Sequence, residues 1–117
     1  MSIRWIEHDG KKILRCDYRG LNIEQSIAMF EKSMAEMSRS GDNVLMISNF
    51  QGTMLNYRFA SCAYDLARLN FRPKAKKIAL VGIEGLQYVI REAFGVMSGR
   101  KPSLFETENE ALTWLVN

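Results

Sequence analysis

The stretch Lys76-Lys77-Ile78-Ala79-Leu80-Val81-Gly82 decides the fold. Ile78 to Val81 are apolar without a polar alternate, and glycine closes the run, which is the pattern of a strand covered on both faces. The segment Asn43 to Phe50 repeats it through Val44-Leu45-Met46-Ile47 and predicts a central strand. Parallel pairing of two such strands needs a crossover of a dozen or more residues between them. The stretch from Leu55 to Phe71 supplies one, with Leu55, Phe59, Cys62, Ala63, Leu66 and Leu69 at helical spacing. Arg72-Pro73 ends it, because proline cannot continue a helix.

The same alternation extends in both directions. After Gly85 a helix is expected with Leu86, Val89, Ile90, Ala93, Phe94 and Met97 on its apolar face and Gly99 as its stop. Pro102 to Phe105 reads as a short last strand, and Thr107-Glu108-Asn109-Glu110 as a capping box opening a final helix with Ala111, Leu112 and Leu115 inward. Upstream, Asn22 with Gln25 three residues later opens a helix whose stripe is Ile23, Ile27, Phe30, Met34 and Met37, closed by Gly41. Ile3 to His8 and Lys12 to Arg19 alternate about Asp9-Gly10, a β-hairpin whose turn residues tolerate positive φ. The order implies an α/β fold: a five-stranded, mostly parallel sheet with an N-terminal hairpin and four helices. No linker, repeat or low-complexity segment divides residues 1–117, which reads as one domain.

Composition sets further bounds. The chain has 117 residues, 47% of them hydrophobic and 25% charged, as expected for a self-sufficient core. A net charge of +3 is far from the clustered charge of a nucleic-acid binder. No apolar run approaches the roughly 20 residues that span a bilayer, so a cytoplasmic protein without a transmembrane segment is expected. Cys16 and Cys62 lack CxxC spacing and read as small buried hydrophobes. His8 has no second ligand at metal-binding spacing, and no nucleophile stands beside a base, so neither metal, cofactor nor enzymatic activity is expected.

His8-Asp9-Gly10-Lys11, Cys16-Asp17-Tyr18-Arg19-Gly20, Lys77-Ile78-Ala79-Leu80-Val81-Gly82 and Phe105-Glu106-Thr107 through Ala111-Leu112-Thr113-Trp114-Leu115 together resemble the sulfate-transporter and anti-sigma-antagonist (STAS) domains. The likeness is to their SpoIIAA-like branch, which is also grouped with CRAL-TRIO lipid-binding domains, and it covers nearly the whole chain. It implies a bacterial-type regulatory domain that acts through protein contacts. In that family a serine at the start of the helix after the central strand is phosphorylated and controls docking to a kinase. The matching segment here, Ser48-Asn49-Phe50-Gln51-Gly52-Thr53-Met54, lacks the family's Asp-Ser-Ser-Gly or Asp-Thr-Ser-Gly run. Thr53 is the hydroxyl nearest the helix start, with an N-cap or turn role as the plainer reading.

Three sets of residues follow as site candidates. Asn49, Gln51, Gly52, Thr53 and Tyr57 form the expected partner-binding or switch loop, since ligands and partners of such sheets meet the carboxyl ends of the strands. Gly82, Glu84 and Gly85 lie between a buried strand and a helix, where backbone N–H groups can cradle an anion. Tyr64, Tyr88 and Phe94 suggest an apolar ligand or homodimer face, which gives the alternative of a carrier or sensor for a small lipid-like molecule. Lys76 and Lys77, with Arg72 and Lys74, and Arg100-Lys101 precede strands and suggest a shared basic edge.

Overall fold

A computed structural model describes residues 2–41, 43–53, 55–69, 75–83 and 102–117. Its elements are β1 (Ser2–His8), β2 (Lys11–Asp17), α1 (Ile23–Arg39), β3 (Val44–Asn49), α2 (Tyr57–Leu69), β4 (Ala75–Val81), β5 (Ser103–Phe105) and α3 (Glu108–Val116). The strands form one sheet in the order β1-β2-β3-β4-β5.

The sheet is mixed, which corrects the mostly parallel expectation. β1 and β2 are antiparallel, and the other three pairings are parallel. The physical reason is the first connection: Asp9 and Gly10 at φ 49° and 76° make a two-residue turn, which can join only antiparallel strands. Three helices, not four, lie among the described residues. The helix expected between Gly85 and Gly99 falls outside them.

Side-chain alternation divides the two faces. Leu14 and Cys16 of β2, Tyr18 just beyond it, Met46 of β3 and Ile78 and Leu80 of β4 pack against Met29, Phe30 and Met37 of α1 and Phe59, Ala60 and Ala63 of α2. Their neighbours Ile13, Leu45, Ile47, Ala79 and Val81 meet Ala111 and Leu115 of α3. All six residues of β3 are buried, as the continuous apolar run requires of the central strand.

Local signals account for most element ends. Asn22 Oδ1 accepts from the Gln25 N–H at 2.8 Å while Gln25 Oε1 accepts from the Asn22 N–H at 3.0 Å, a complete capping box. α1 ends earlier than Gly41: the Ser40 N–H donates to the Met37 carbonyl and its hydroxyl to the Glu36 carbonyl at 2.8 Å. Its centre line is also rotated from the expected stripe. Ser26, Met29, Phe30, Ser33 and Met37 are buried, and Ile23, Ile27 and Met34 flank them.

α2 starts at Tyr57 rather than Leu55 because Asn56 Oδ1 caps it, accepting from the Phe59 N–H at 3.0 Å. In α3 the Thr107 hydroxyl accepts from the Glu110 N–H at 3.3 Å and donates to the Glu110 carboxylate at 3.0 Å. The Glu110 side chain thus closes on the cap hydroxyl instead of a backbone N–H.

Cys16 is fully buried and stands opposite Ser48 in the β2–β3 register. Burial pushes its thiol up to about 12, against smaller lowering effects of the Ser48 hydroxyl and Arg15. The thiolate is the reactive species, so at neutral pH native Cys16 is expected to alkylate roughly a thousandfold more slowly than in the unfolded chain. Peptide mapping after a timed iodoacetamide pulse reads this directly. Equal labelling of Cys16 in native and denatured protein would contradict its burial.

Candidate interaction site

The carboxyl ends of β2, β3 and β4 converge with the start of α3. On the α3 face of β2, Arg15 follows Ile13, and its guanidinium donates to Glu108 Oε1 from Nε at 3.0 Å and from Nη2 at 2.7 Å. The buried Asn49, only 1% exposed, donates from Nδ2 to the same oxygen at 3.0 Å. Asn49 Oδ1 in turn accepts from the Gln51 N–H at 2.9 Å. Glu108 opens α3, where a carboxylate also meets the positive end of the helix dipole.

A second ion pair extends the network outward. Arg15 Nη1 lies 3.6 Å from Asp17 Oδ2, and Arg19 grips the Asp17 carboxylate through Nε at 2.9 Å and Nη2 at 2.8 Å. The hydrogen bond from Arg19 holds the Asp17 carboxyl below its ordinary range, with partial burial opposing it. Its unfolded counterpart titrates near pH 4, so the stabilisation is complete above about that pH and declines as pH falls through the lower native value. Acid titration of folding stability is expected to lose part of its steepness below about pH 4 in Asp17→Asn. An unchanged acid limb would place the stabilisation elsewhere.

The loop after β3 is braced on every side. Phe50 to Thr53 form a turn closed by the Thr53 N–H on the Phe50 carbonyl at 2.9 Å, with Gly52 at φ 70° in its third position. The Thr53 hydroxyl donates to the Tyr18 carbonyl at 2.7 Å, and Gln51 Nε2 to the Glu106 carbonyl at 2.8 Å. Phe50 points inward and stacks on Tyr18 with ring centroids 4.2 Å apart, while Phe59 meets both rings edge-on. The surface that remains is Gln51, Gly52 and, across the start of α2, Tyr57, which is 69% exposed.

Of the expected switch-loop residues, Asn49, Gln51, Gly52 and Thr53 share the end of β3 and its loop, and Tyr57 stands in the first turn of α2, in different roles. Asn49 is a buried brace at the end of β3, Thr53 ties the loop to β2, and Gln51, Gly52 and Tyr57 face outward. Thr53 caps no helix, since Asn56 does so. Gly82, at φ 71°, adjoins this loop, and its N–H donates to the Phe105 carbonyl at 2.9 Å, continuing the sheet ladder instead of facing an anion. Glu84 and Gly85 fall outside the described residues.

Tyr64 is 37% exposed on the outer side of α2, with the Arg68 guanidinium 6.0 Å from its ring centre. Tyr88 and Phe94 lie outside the described residues. Arg15, Asp17, Arg19 and Glu108 were not among the expected site residues. Alternation with Ile13 places Arg15 and Asp17 on one face, but nothing local names Glu108 as the partner of Arg15. No group of three or more His, Cys, Asp or Glu side chains forms a metal site among the described residues. No helix among them is long and apolar enough to cross a membrane.

A mixed five-stranded sheet with α1 and α2 on one face and α3 on the other makes this an α/β domain. The chain is similar to the crystal structure of an uncharacterized protein of the DUF3478 family, with a SpoIIAA-like fold, from Shewanella loihica PV-4. The match covers 97% of this chain and 92% of that one, with a TM-score of 0.59 and 18% sequence identity, and it concerns the fold. No protein-family model matches the chain, and no curated protein matches it.

Proposed function

We propose that this domain works without catalysis, as a regulatory or protein-interaction module whose partner docks on the carboxyl edge of the sheet through Gln51, Gly52 and Tyr57. The observation that carries this reading is the pairing of a braced loop with a large aromatic left in solvent. Asn49, Thr53 and Gln51 are each hydrogen-bonded to a different part of the frame, so little loop entropy remains to be lost on docking. Tyr57 offers broad contact area at low rotamer cost beside them. The sequence resemblance to STAS domains, which implies regulation through protein contacts, supports the reading together with the SpoIIAA-like fold.

The alternative, a carrier or sensor of a small lipid-like molecule, has no observation among the described residues in its favour. Thr53→Ala combined with Tyr57→Ala is expected to weaken capture of the partner from native extracts by about tenfold or more. Quantitative affinity capture against wild type checks this, with a melting curve to show that the variant is folded. Undiminished capture by the folded variant would move the docking face elsewhere.

A further inference from the structure

The opposite edge of the sheet carries a second feature. At the amino ends of the strands an open cavity of about 370 Å³ is lined by Lys11, Lys12, Asn43, Lys76, Lys77 and Asn117, with Leu45 and Leu115 as its apolar lining. Four lysines, from the starts of β2 and β4, contribute to its lining, which holds no Asp or Glu; Lys11 and Lys77 reach the α3 side, and the Lys12 ammonium stands at the rim over Trp5. Among the described residues no acidic group lies within 4.0 Å of any of the four ammonium groups. A carboxylate on Asn117 would offset one of these charges and leave the rest.

Mutual repulsion should splay such a cluster, yet backbone oxygens and ring faces hold three of the four lysines in place. Lys77 donates to the Trp114 carbonyl at 2.8 Å and the Asn117 carbonyl at 3.1 Å, and Lys11 to the Val116 carbonyl at 3.0 Å. These are carbonyls of the last turn of α3, the negative end of its dipole. Lys77 also lies 4.8 Å from the Trp114 ring centre, and Lys12 lies 5.3 Å from that of Trp5. Each ammonium has three N–H donors, so Lys77 keeps one, Lys11 two and Lys76 all three for a ligand, while Lys12 adds charge at the rim from its place over Trp5.

We infer that this cavity binds a compact polyanion of the phosphate class, either a soluble phosphorylated molecule or a phosphorylated lipid headgroup. Its volume lies at the small end of ligand sites, and clustered lysines suit phosphate as point charges without demanding one orientation. An acidic protein segment is the less fitting occupant, because the charge lines a concavity instead of running along a strand or helix face. The inference is independent of the docking loop, which lies at the other end of the strands.

Calorimetric titration of the intact chain with inorganic pyrophosphate at low ionic strength tests it, with Lys12→Gln/Lys76→Gln as the comparison. These two are chosen because Lys11 and Lys77 also anchor α3. Saturable one-site binding is expected, weakened about tenfold or more in the double variant while its melting temperature stays near wild type. A parallel arm sediments phosphatidylcholine vesicles with and without phosphatidylinositol bisphosphate. Binding to pyrophosphate alone assigns a soluble ligand, and Lys12- and Lys76-dependent binding to the bisphosphate vesicles assigns a headgroup. No saturable binding in either arm overturns the inference, as does equal binding by the double variant. Binding of a polyglutamate peptide in preference to both phosphate probes also overturns it.

Discussion

Gly82→Ala is expected to destabilise the domain by about 3 kcal/mol and to lower its melting temperature by about 10–20 °C. The Cβ would fall 2.4 Å from Gln51 Cγ, 2.9 Å from Gln51 Cα and 3.0 Å from the Gln51 nitrogen. A side-chain end can swing away, but the Gln51 backbone is fixed by Asn49 and cannot yield without moving the loop. Gly52→Ala supplies the control. Its φ of 70° nearly equals the 71° of Gly82, yet nothing lies within 4 Å of its added Cβ, so only backbone strain of about 1 kcal/mol is expected. Thermal and denaturant unfolding of the two variants separate close approach from strain. Equal losses would mean that the contact between the β3 and β4 loops contributes nothing.

Glu108→Ala is the second large effect, at about 2–3 kcal/mol. A single oxygen, Glu108 Oε1, accepts from two nitrogens of Arg15 and from the buried amide of Asn49. Its removal leaves the Arg15 side chain, 12% exposed, with only Asp17 at 3.6 Å, and leaves Asn49 Nδ2 without its acceptor. The cost arises more from these stranded groups than from the lost attraction. Glu108→Gln, which keeps an acceptor but not the charge, is expected to lose about half as much. Unfolding measurements on Arg15→Met, Glu108→Ala and the double variant should show coupling of about 1 kcal/mol or more. Strict additivity would dissolve the proposed brace.

What could be read in the chain and what could not follow from the range of the interactions. The Asp9-Gly10 turn and the Asn22–Gln25 capping box rest on contacts within a few residues, and the buried run of β3 shows in its own unbroken apolar stretch; each formed as expected. The rotation of α1 was missed because its buried line includes Ser26 and Ser33, which an apolar stripe passes over. Ser33 meets its own backbone, donating to the Phe30 carbonyl at 2.7 Å, and is buried at little cost. The start of α2 moved because Asn56 outcompetes Leu55 as a boundary.

At the site, the location of the loop was legible but its construction was not. Gly82 stood out as the end of a strand, while the reason for glycine there is the backbone of Gln51, brought close only by sheet pairing. The Arg15–Glu108 pair joins residues 93 positions apart, beyond any local pattern. The lysine cavity likewise draws Lys11 and Lys12 from the hairpin to Lys76 and Lys77, a neighbourhood set by the order of strands.

The measurement that bears most directly on the docking face is photo-cross-linking in the native cell, with p-benzoylphenylalanine at position 57 or, as a control, at exposed position 31 on α1. The account predicts a discrete cross-linked protein species from position 57, weakened when Gln51→Ala is added, and none in common with position 31. The same species from both positions, or none from position 57 while position 31 yields one, would contradict docking at the carboxyl edge of the sheet.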